Sequence, residues 1–501
     1  MRNSKNVFDL VVIGTGNAAL CAAIAAKENG ANVLMVEKGT KHKRGGNSFF
    51  TDGAIRFAYN DMTGIQKILT DLNKEEVQHI VMPIYTEDDY YADIMRVTKN
   101  KSEPELARQL VSNSFETIQW MKEQGVQFEL NENQSFEKDG KLQFWGGLPI
   151  KTRRKGIGLI ETLIARAEEM GVEIIYETRA VKLKKAEGKI SGLIVIQNGA
   201  KKIIHAKTVV LACGGFEADK EKRKKYLGKE WGNALVRGSE YNTGDGLEMA
   251  LEIGAQPYGD WGSCHAHTTD FNAPKVGDYS KPGDIYKKSS YPLGIIVNKQ
   301  GKRFVDEGAD FRNYTYAKYG KETLKQQGQK AFQLFDQQVY PMLRKEYMLE
   351  EATCIKANSI EELADEMEID RVNLVSTINE YNLAVKNGDY NPSIKDKKGT
   401  KGITPPKSNW ALRLEKSPYY AYPITCGITF TFGGIRTNKN GEVLDSEGLP
   451  IPGLFAAGEM IGGIFYHNYP GGSGLMSGAT FGKLAGESAS SYLSNKLKVT
   501  K

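Results

Sequence analysis

Gly14-Thr15-Gly16-Asn17-Ala18-Ala19 carries the spacing G-x-G-x-x-G/A. In that pattern the first glycine permits a tight turn, the second lets the backbone approach a pyrophosphate, and a small third residue allows close helix–strand packing. The amides from Gly16 through Asn17 and Ala18 open a helix, whose N-terminal dipole and free N–H groups suit an anion. Glu37 follows 23 residues after Gly14, where a carboxylate would accept ribose hydroxyls. A second cluster, Gly45-Gly46-Asn47-Ser48 with Thr51, Gly53 and Ala54, comes directly afterwards. A third, Gly458-Glu459 with Gly471-Gly472-Ser473-Gly474-Leu475, opens the last helix more than 400 residues later. Three such clusters at strand–helix junctions point to one long dinucleotide threaded through both ends of the chain.

Two imidazoles stand close in Cys264-His265-Ala266-His267-Thr268. A His-x-His pair can begin a metal site, but no third and fourth ligand is evident, so no metal is expected. Cysteines 21, 213, 264, 354 and 426 form neither a C-x-x-C pair nor a close cluster, so any iron–sulfur centre must belong to a partner. Arg56, Arg153, Arg154 and Arg312, with His265, His267 and His467, are the candidate groups for an anionic ligand. Arg153 and Arg154 lie inside a Lys-Thr-Arg-Arg-Lys run that reads equally well as surface.

The elements that must position these residues are legible at the N-terminus. Val7 to Ile13 is an apolar strand, Asn17 to Asn29 an alanine-rich helix stopped by Gly30, and Asn32 to Val36 a second strand. Helices are expected over Glu105–Gln124, Gly158–Met170 and Gly474–Leu493. Strands are expected over Val172–Tyr176, Gly192–Gln197, Lys207–Leu211, Pro423–Gly434 and Leu454–Ala457. From about Gln256 to Leu414 the texture changes to many tyrosines and lysine-rich polar stretches, which reads as an inserted domain. The expected organisation is α/β: a Rossmann-like dinucleotide-binding domain in two segments, 1–256 and 416–501, around an α+β domain at 257–415.

The bulk numbers agree with a globular cofactor enzyme. In 501 residues there are 53 glycines, and 67 basic against 61 acidic residues give a net charge of +6. The charges are dispersed, with no basic stripe, so a nucleic-acid partner is not expected. The polar start at Met1 to Phe8 lacks a signal-peptide pattern, and no apolar run reaches the ~18 residues of a spanning helix. A cytoplasmic, reducing location is the default expectation, with any membrane association arising through an electron-transfer partner.

The motifs VVIGTGNAAL, VEKG, GGNSFFTDGAIRF, TVVLACGGF, NTGDGLEMA, GKRFVDE and GLFAAGEMIGGIFYHNYPGGSGLMSGATFGKLAG cover nearly the whole chain. Together they resemble the flavoprotein family of fumarate reductases and succinate dehydrogenases. The resemblance implies FAD, bound by a two-part domain and covered by a capping domain. It places Glu37 at the adenosine ribose with Lys38 beside it in the cofactor site, Ala180-Val181 at the adenine edge, and Glu459 and Ser473 to Leu475 at the ribityl and flavin. Ala212, Gly214, Asn242 and Asp245 fall on further motif positions of the cofactor site. Many members attach FAD through a histidine near the GGNS segment; this chain has only His42, ahead of the glycines, which implies non-covalent FAD.

The substrate positions depart from the fumarate pattern. The family's C-terminal arginine corresponds to Tyr469, and its histidine before the Gly433-Gly434 pair to Thr429 or Phe430. The acidic member of the usual proton relay is missing near Lys287 and Lys288. Arg312 survives in the position of the family's proton donor, and His265 and His267 fall where a substrate-carboxylate histidine is placed. Within the family the sequence looks most like tricarballylate dehydrogenases, which form cis-aconitate; the Tyr-Pro-Gly-Gly loop also occurs in 3-ketosteroid dehydrogenases. The expected reaction is dehydrogenation of a small anionic polycarboxylate, with Arg312, then Tyr469, as the proton-handling group. A separate iron–sulfur, membrane-associated acceptor is implied as partner. The altered positions also allow a flavin-binding protein without turnover.

Overall fold

The computed structural model describes residues 7–69, 71–281 and 283–499, the last five without their side chains; Met1 to Asn6 of the polar start lie outside the described residues. The valine-rich run Val7–Ile13 forms a strand whose last four residues are buried, and β-branched residues suit that position. It pairs in parallel with Val33–Val36 on one side and with Ala200–Leu211 on the other. Glu173–Ile175 and Pro450–Ala456 extend the parallel core outward. Thr178–Ala186 and Lys189–Gln197 add an antiparallel meander, and Glu442–Leu444 pairs with Pro450–Ala456, giving eight strands.

Helix Asn17–Glu28 packs on this sheet with nine buried residues and ends where Gly30 turns at φ +79°. The closing helix Ser473–Val499 lies directly against it. Gly482 and Gly486 face the backbone of Ala18 and Ala22 so closely that a Cβ would stand 2.4 and 2.2 Å from their carbonyl oxygens. Glycines four residues apart thus let the two helices touch backbone to backbone, which brings the C-terminal glycine cluster beside the N-terminal fingerprint. Asn17 Nδ2 donates to the Leu475 carbonyl at 2.9 Å across that contact.

Of the sequence expectations, the stretch Glu105–Gln124 differs: two helices, Pro104–Ser112 and Ser114–Glu123, meet at Asn113. Local side-chain bonds compete with the helix there. Asn113 Nδ2 donates to the Gln109 carbonyl, while Ser114 Oγ donates to Val111 and accepts from the Ala58 amide.

A second, six-stranded sheet draws its longest strand from the segment after residue 416 and others from residues 257–415. Its spine is Tyr419–Ile435, seventeen residues long. Pro257–Asp270 pairs with it antiparallel over nearly its full length, so this two-stranded ribbon runs from one layer into the other. Ala331–Asp336 and Ile295–Asn298 continue the sheet, and helices Ile360–Glu366 and Arg371–Ala384 cover a separate apolar core around Leu363, Leu374 and Tyr381. Among the described residues no helix is long and apolar enough to cross a membrane.

Candidate functional site

A cavity of about 810 Å³ runs from the Gly14 turn to the capping domain. At its inner end lie Gly14, Gly16, Asn17 and Ala18, then Glu37 and Lys38, with Ala180, Ala212, Gly214, Asn242 and Asp245 alongside. Gly46, Asn47, Ser48, Thr51 and Ala54 form one wall, and Gly458, Glu459, Gly474 and Leu475 the other. Gly45, Gly53, Val181 and Ser473 stand behind this lining rather than in it. Gly45 and Gly53 turn at φ +93° and +83°, the left-handed region that favours glycine.

The inner end fits a dinucleotide. The helix opened by Gly16 has no side-chain cap and no acidic residue in its first turn, so its amides and dipole favour a pyrophosphate. Gly14 at φ +111° lies 2.5 Å, at its missing Cβ, from the Ala212 carbonyl oxygen, which is why the turn can pack on the neighbouring strand. Glu37 is 7% exposed and held by Thr15 Oγ1 at 2.5 Å and the Gly39 amide at 2.6 Å. Lys38 and Arg179 both pair with Asp245. Thr429 Oγ1, on the lining, is buried without a hydrogen-bond partner, as a polar atom awaiting a ligand would be. His42 is exposed in the short turn Lys41–Lys43.

Glu459, expected at the ribityl chain, meets a residue that sequence reasoning missed. Its Oε1 accepts from the Thr431 amide at 2.6 Å and hydroxyl at 2.9 Å, and its carboxyl is hydrogen-bonded to Glu217. Glu217 is fully buried and accepts from Asn47 and Asn242, both at 2.6 Å. Burial, and for Glu459 also the neighbouring Glu217 carboxyl, push both acids up, so the pair holds a proton between them. The only sequence signal was its place directly after Gly214-Gly215-Phe216.

At the outer end, strand register sets the substrate wall. His265 pairs with Phe430 across the ribbon, beside a bulge between His265 and Ala266. The rings of His265, Tyr316, Phe430, Phe432, Phe465 and Tyr469 touch one another, with centroids 4.9 to 6.3 Å apart. Tyr469 and Tyr316 are joined hydroxyl to hydroxyl. Burial, and next their mutual contact, hold the Tyr469 phenol well above its usual range. Neither nitrogen of His265 has a hydrogen-bond partner, and burial pushes it well below the usual imidazole range, so it is neutral. His267 differs: Nδ1 meets the Thr268 carbonyl and Nε2 the Asp284 carboxylate, both at 3.0 Å, so both nitrogens are engaged.

Arg312 starts the short turn Arg312–Tyr314 and faces the cavity. This turn is fastened to the Tyr469 loop: the Gly471 amide donates to the Asn313 carbonyl at 3.1 Å, and Asn468 Nδ2 to Tyr314 at 2.7 Å. No salt bridge joins Arg312 to Asp306 or Asp310, two acids close by in sequence, since Asp310 pairs with Arg96 and Lys395 and Asp306 accepts from Ser408. Burial first, then Arg344, bring the Arg312 guanidinium down to about 10.

Lys287, near which the sequence shows no acid of the family's relay, meets carboxylates from other parts of the chain. It is paired with Asp52, and with Glu346 at 3.1 Å; Glu346 also lies 3.5 Å from Arg344. The carboxylates arrive from 235 residues before and 59 residues after Lys287, too far for a local pattern to reveal. Burial takes Lys287 down to about 8. Burial opposes ionisation of Glu346, but Lys287 and Arg344 outweigh it and hold the acid at about 2.

Four of the candidate groups lie elsewhere. Arg56 is fully buried behind the loop, where Nε donates to the Gly471 carbonyl at 2.8 Å and Nη1 to Tyr85 at 2.8 Å. Arg153 and Arg154 are exposed and paired with Asp71 and Glu161. His467 is 37% exposed beside Asp260. Among the described residues no group of three or more His, Cys, Asp or Glu is placed to hold a metal ion.

Residues 9–475 match the family model described as FAD binding domain. A probable fumarate reductase of Shewanella frigidimarina is 30% identical over 498 residues, covering 97% of this chain and 75% of that protein. A vinyl phenol reductase of Lactiplantibacillus plantarum is 29% identical over 97% of both chains. The open conformation of a flavocytochrome c3 fumarate reductase superposes with a TM-score of 0.73 at 28% identity, covering 98% of this chain and 79% of that one. With the dinucleotide cradle, the capping sheet and these likenesses in agreement, the chain belongs to the FAD binding domain family, among the fumarate reductase and succinate dehydrogenase flavoproteins, and is an FAD-dependent oxidoreductase of the CH–CH class.

Proposed function

We propose that this enzyme moves hydrogen across a carbon–carbon bond activated by a neighbouring carboxylate, with FAD held non-covalently. The observation that carries this reading is the meeting of Arg312, Arg344 and Lys287 on the same cavity that begins at the dinucleotide cradle. Bound FAD supplies the hydride acceptor or donor. Arg312, Arg344 and Lys287 bind and orient the carboxylate. Charge that develops on the carbon next to it is then stabilised more than the ground state is, the only kind of interaction that speeds the step. Arg312 holds the proton exchanged at that carbon, and burial beside Arg344 brings it nearer to the range where transfer is efficient. Exposure of His42, away from the cavity, supports dissociable cofactor.

The tricarballylate reading asks for cations around three carboxylates, because an unpaired buried charge costs several kcal/mol. Arg312, Arg344, Lys287 and Arg237 line the cavity, but Asp52, Glu346 and Asp284 line it beside them and offset most of that charge, and Arg56, Arg153 and Arg154 do not contribute. One carboxylate is therefore the part of that reading the site supports best. The relative named for vinyl phenol fits an alkene that carries a ring. A ketone as activating group is the second reading, favoured by the joined Tyr316 and Tyr469 hydroxyls. Cysteine spacing without a cluster motif supports a separate iron–sulfur protein as electron partner.

The test is anaerobic spectroscopy of FAD-loaded protein. Dye-reduced enzyme is mixed with fumarate, acrylate or cis-aconitate, and oxidised enzyme with succinate, tricarballylate or a 3-ketosteroid. Reoxidation or bleaching of the flavin by a carboxylic acid is expected; response to the ketosteroid alone transfers the assignment to the second reading, and no response to any overturns both.

A further inference from the structure

Resting on the reading just given, we infer that the acid reduced or formed here carries an aromatic ring: the site is built for a trans-3-arylpropenoate or its saturated product. The cavity carries both cations and a cluster of rings. Arg312, Arg344 and Lys287 line it, as does Arg237, whose Nη1 is buried without a hydrogen-bond partner. His265, Tyr316, Phe430, Phe432, Phe465 and Tyr469 line it as well, ring against ring.

This wall has the geometry of a ring socket. Phe430 and Tyr469 meet edge to face, with centroids 5.1 Å apart and planes at 82°. Phe465 lies 5.5 Å from Tyr469, and His265 5.0 Å from it at 57°. Tilted and perpendicular neighbours of this kind present both faces and edges to an inserted ring, the arrangement aromatic pairs prefer. The polar atoms within the wall are neutral: an uncharged His265 and two phenols held protonated. Two free imidazole nitrogens and the paired hydroxyls can satisfy a phenolic or methoxy substituent.

Arg312 joins cation and ring cluster. Its guanidinium carbon lies 5.8 Å from the Tyr316 ring centre, so the cation that meets the carboxylate borders the aromatic wall directly. In the proposed complex the carboxylate of an arylpropenoate meets Arg312 and its ring lies on that wall. In the reducing direction the C=C π bond is lost, a hydride equivalent adds to the carbon bearing the ring, and a proton adds to the carbon bearing the carboxylate. A reduced electron-carrier protein or dye supplies the two electrons.

The experiment uses the full, FAD-loaded chain with reduced methyl viologen as donor. Reduction of trans-cinnamate, 4-hydroxycinnamate, acrylate, fumarate and 4-vinylphenol is followed, and binding of hydrocinnamate and propionate to the oxidised holoenzyme is measured by calorimetry. Either arylpropenoate should exceed acrylate and fumarate in kcat/KM by about ten-fold or more, and hydrocinnamate should bind about ten-fold more tightly than propionate. Phe430→Leu, which keeps volume and apolarity, should shrink both ratios several-fold. Preference for acrylate or fumarate, or equal binding of the two saturated acids, overturns the ring socket while leaving the carboxylate-activated reaction in place. Preference for 4-vinylphenol overturns the anionic end. Failure of every acid to reoxidise the dye-reduced flavin overturns the underlying reading itself.

Discussion

Replacing Glu346 by glutamine isolates the charge balance of the outer site. Glu346 is one of two carboxylates on Lys287, at 3.1 Å, with side chains that are each 15% exposed. At that separation and an effective dielectric of about 20 the gross attraction is about 5 kcal/mol. Asp52 remains on Lys287 in the variant and keeps part of that stabilisation. A nearby opposite charge moves a pKa by about one to three, so the lower end applies, and Lys287 should fall from about 8 to about 7. The sign follows from burial: the charged ammonium is the form the protein disfavours, and Glu346 is what sustains it. In the parent protein, affinity for an anionic ligand should therefore decline as pH rises through about 8. In Glu346→Gln the decline should centre near about 7, so that at about pH 7.5 the charged fraction drops from about three quarters to about one quarter. Loss of one negative charge also raises the low-pH plateau, so the midpoint is the quantity to read. The assay is calorimetric binding of a saturated monocarboxylic acid to oxidised holoenzyme across about pH 6 to 9. A midpoint that stays near 8 in the variant would refute the claim that Glu346 sustains the Lys287 charge.

Arg312→Gln should lower kcat/KM by about 100-fold or more, the usual contribution of a positioned proton donor, with the bound-flavin spectrum unchanged; stopped-flow reoxidation measures it, and a loss confined to KM would leave Arg312 a binding group only. Gly14→Ala meets both a left-handed backbone and the Ala212 carbonyl oxygen 2.5 Å from its new Cβ, so about 2–4 kcal/mol of stability should go, together with flavin content, as read by thermal melting and cofactor release. Arg56→Met should loosen the loop that carries Tyr469, since it removes the bond to the Gly471 carbonyl. Weaker substrate binding at nearly unchanged FAD affinity is expected there, and equal loss of both would place Arg56 in the fold rather than behind the substrate loop.

Local chemistry by itself determined the cofactor end. A glycine turn, a small-residue helix and a carboxylate at the next strand end form one contiguous βαβ unit, so their spacing in the chain is also their spacing in space. The closing helix was legible for the same reason, its glycines repeating every fourth residue along one face. The break at Asn113 was not, because two side-chain hydrogen bonds outweighed a good helical pattern. The substrate end lay beyond sequence reasoning as a whole. Arg312 was placed by its motif, but whether it was free or salt-bridged depended on Arg96, Lys395 and Ser408 taking the neighbouring acids first. Arg56, chemically as suited to a carboxylate as Arg312, was turned by the fold to hold a loop. Lys287 found its carboxylates on segments far away in the chain, and Glu217 found Glu459 across more than two hundred residues. Residue types state what a side chain can do; which partners saturate it first is a question of proximity in three dimensions, and only the tertiary structure decides that.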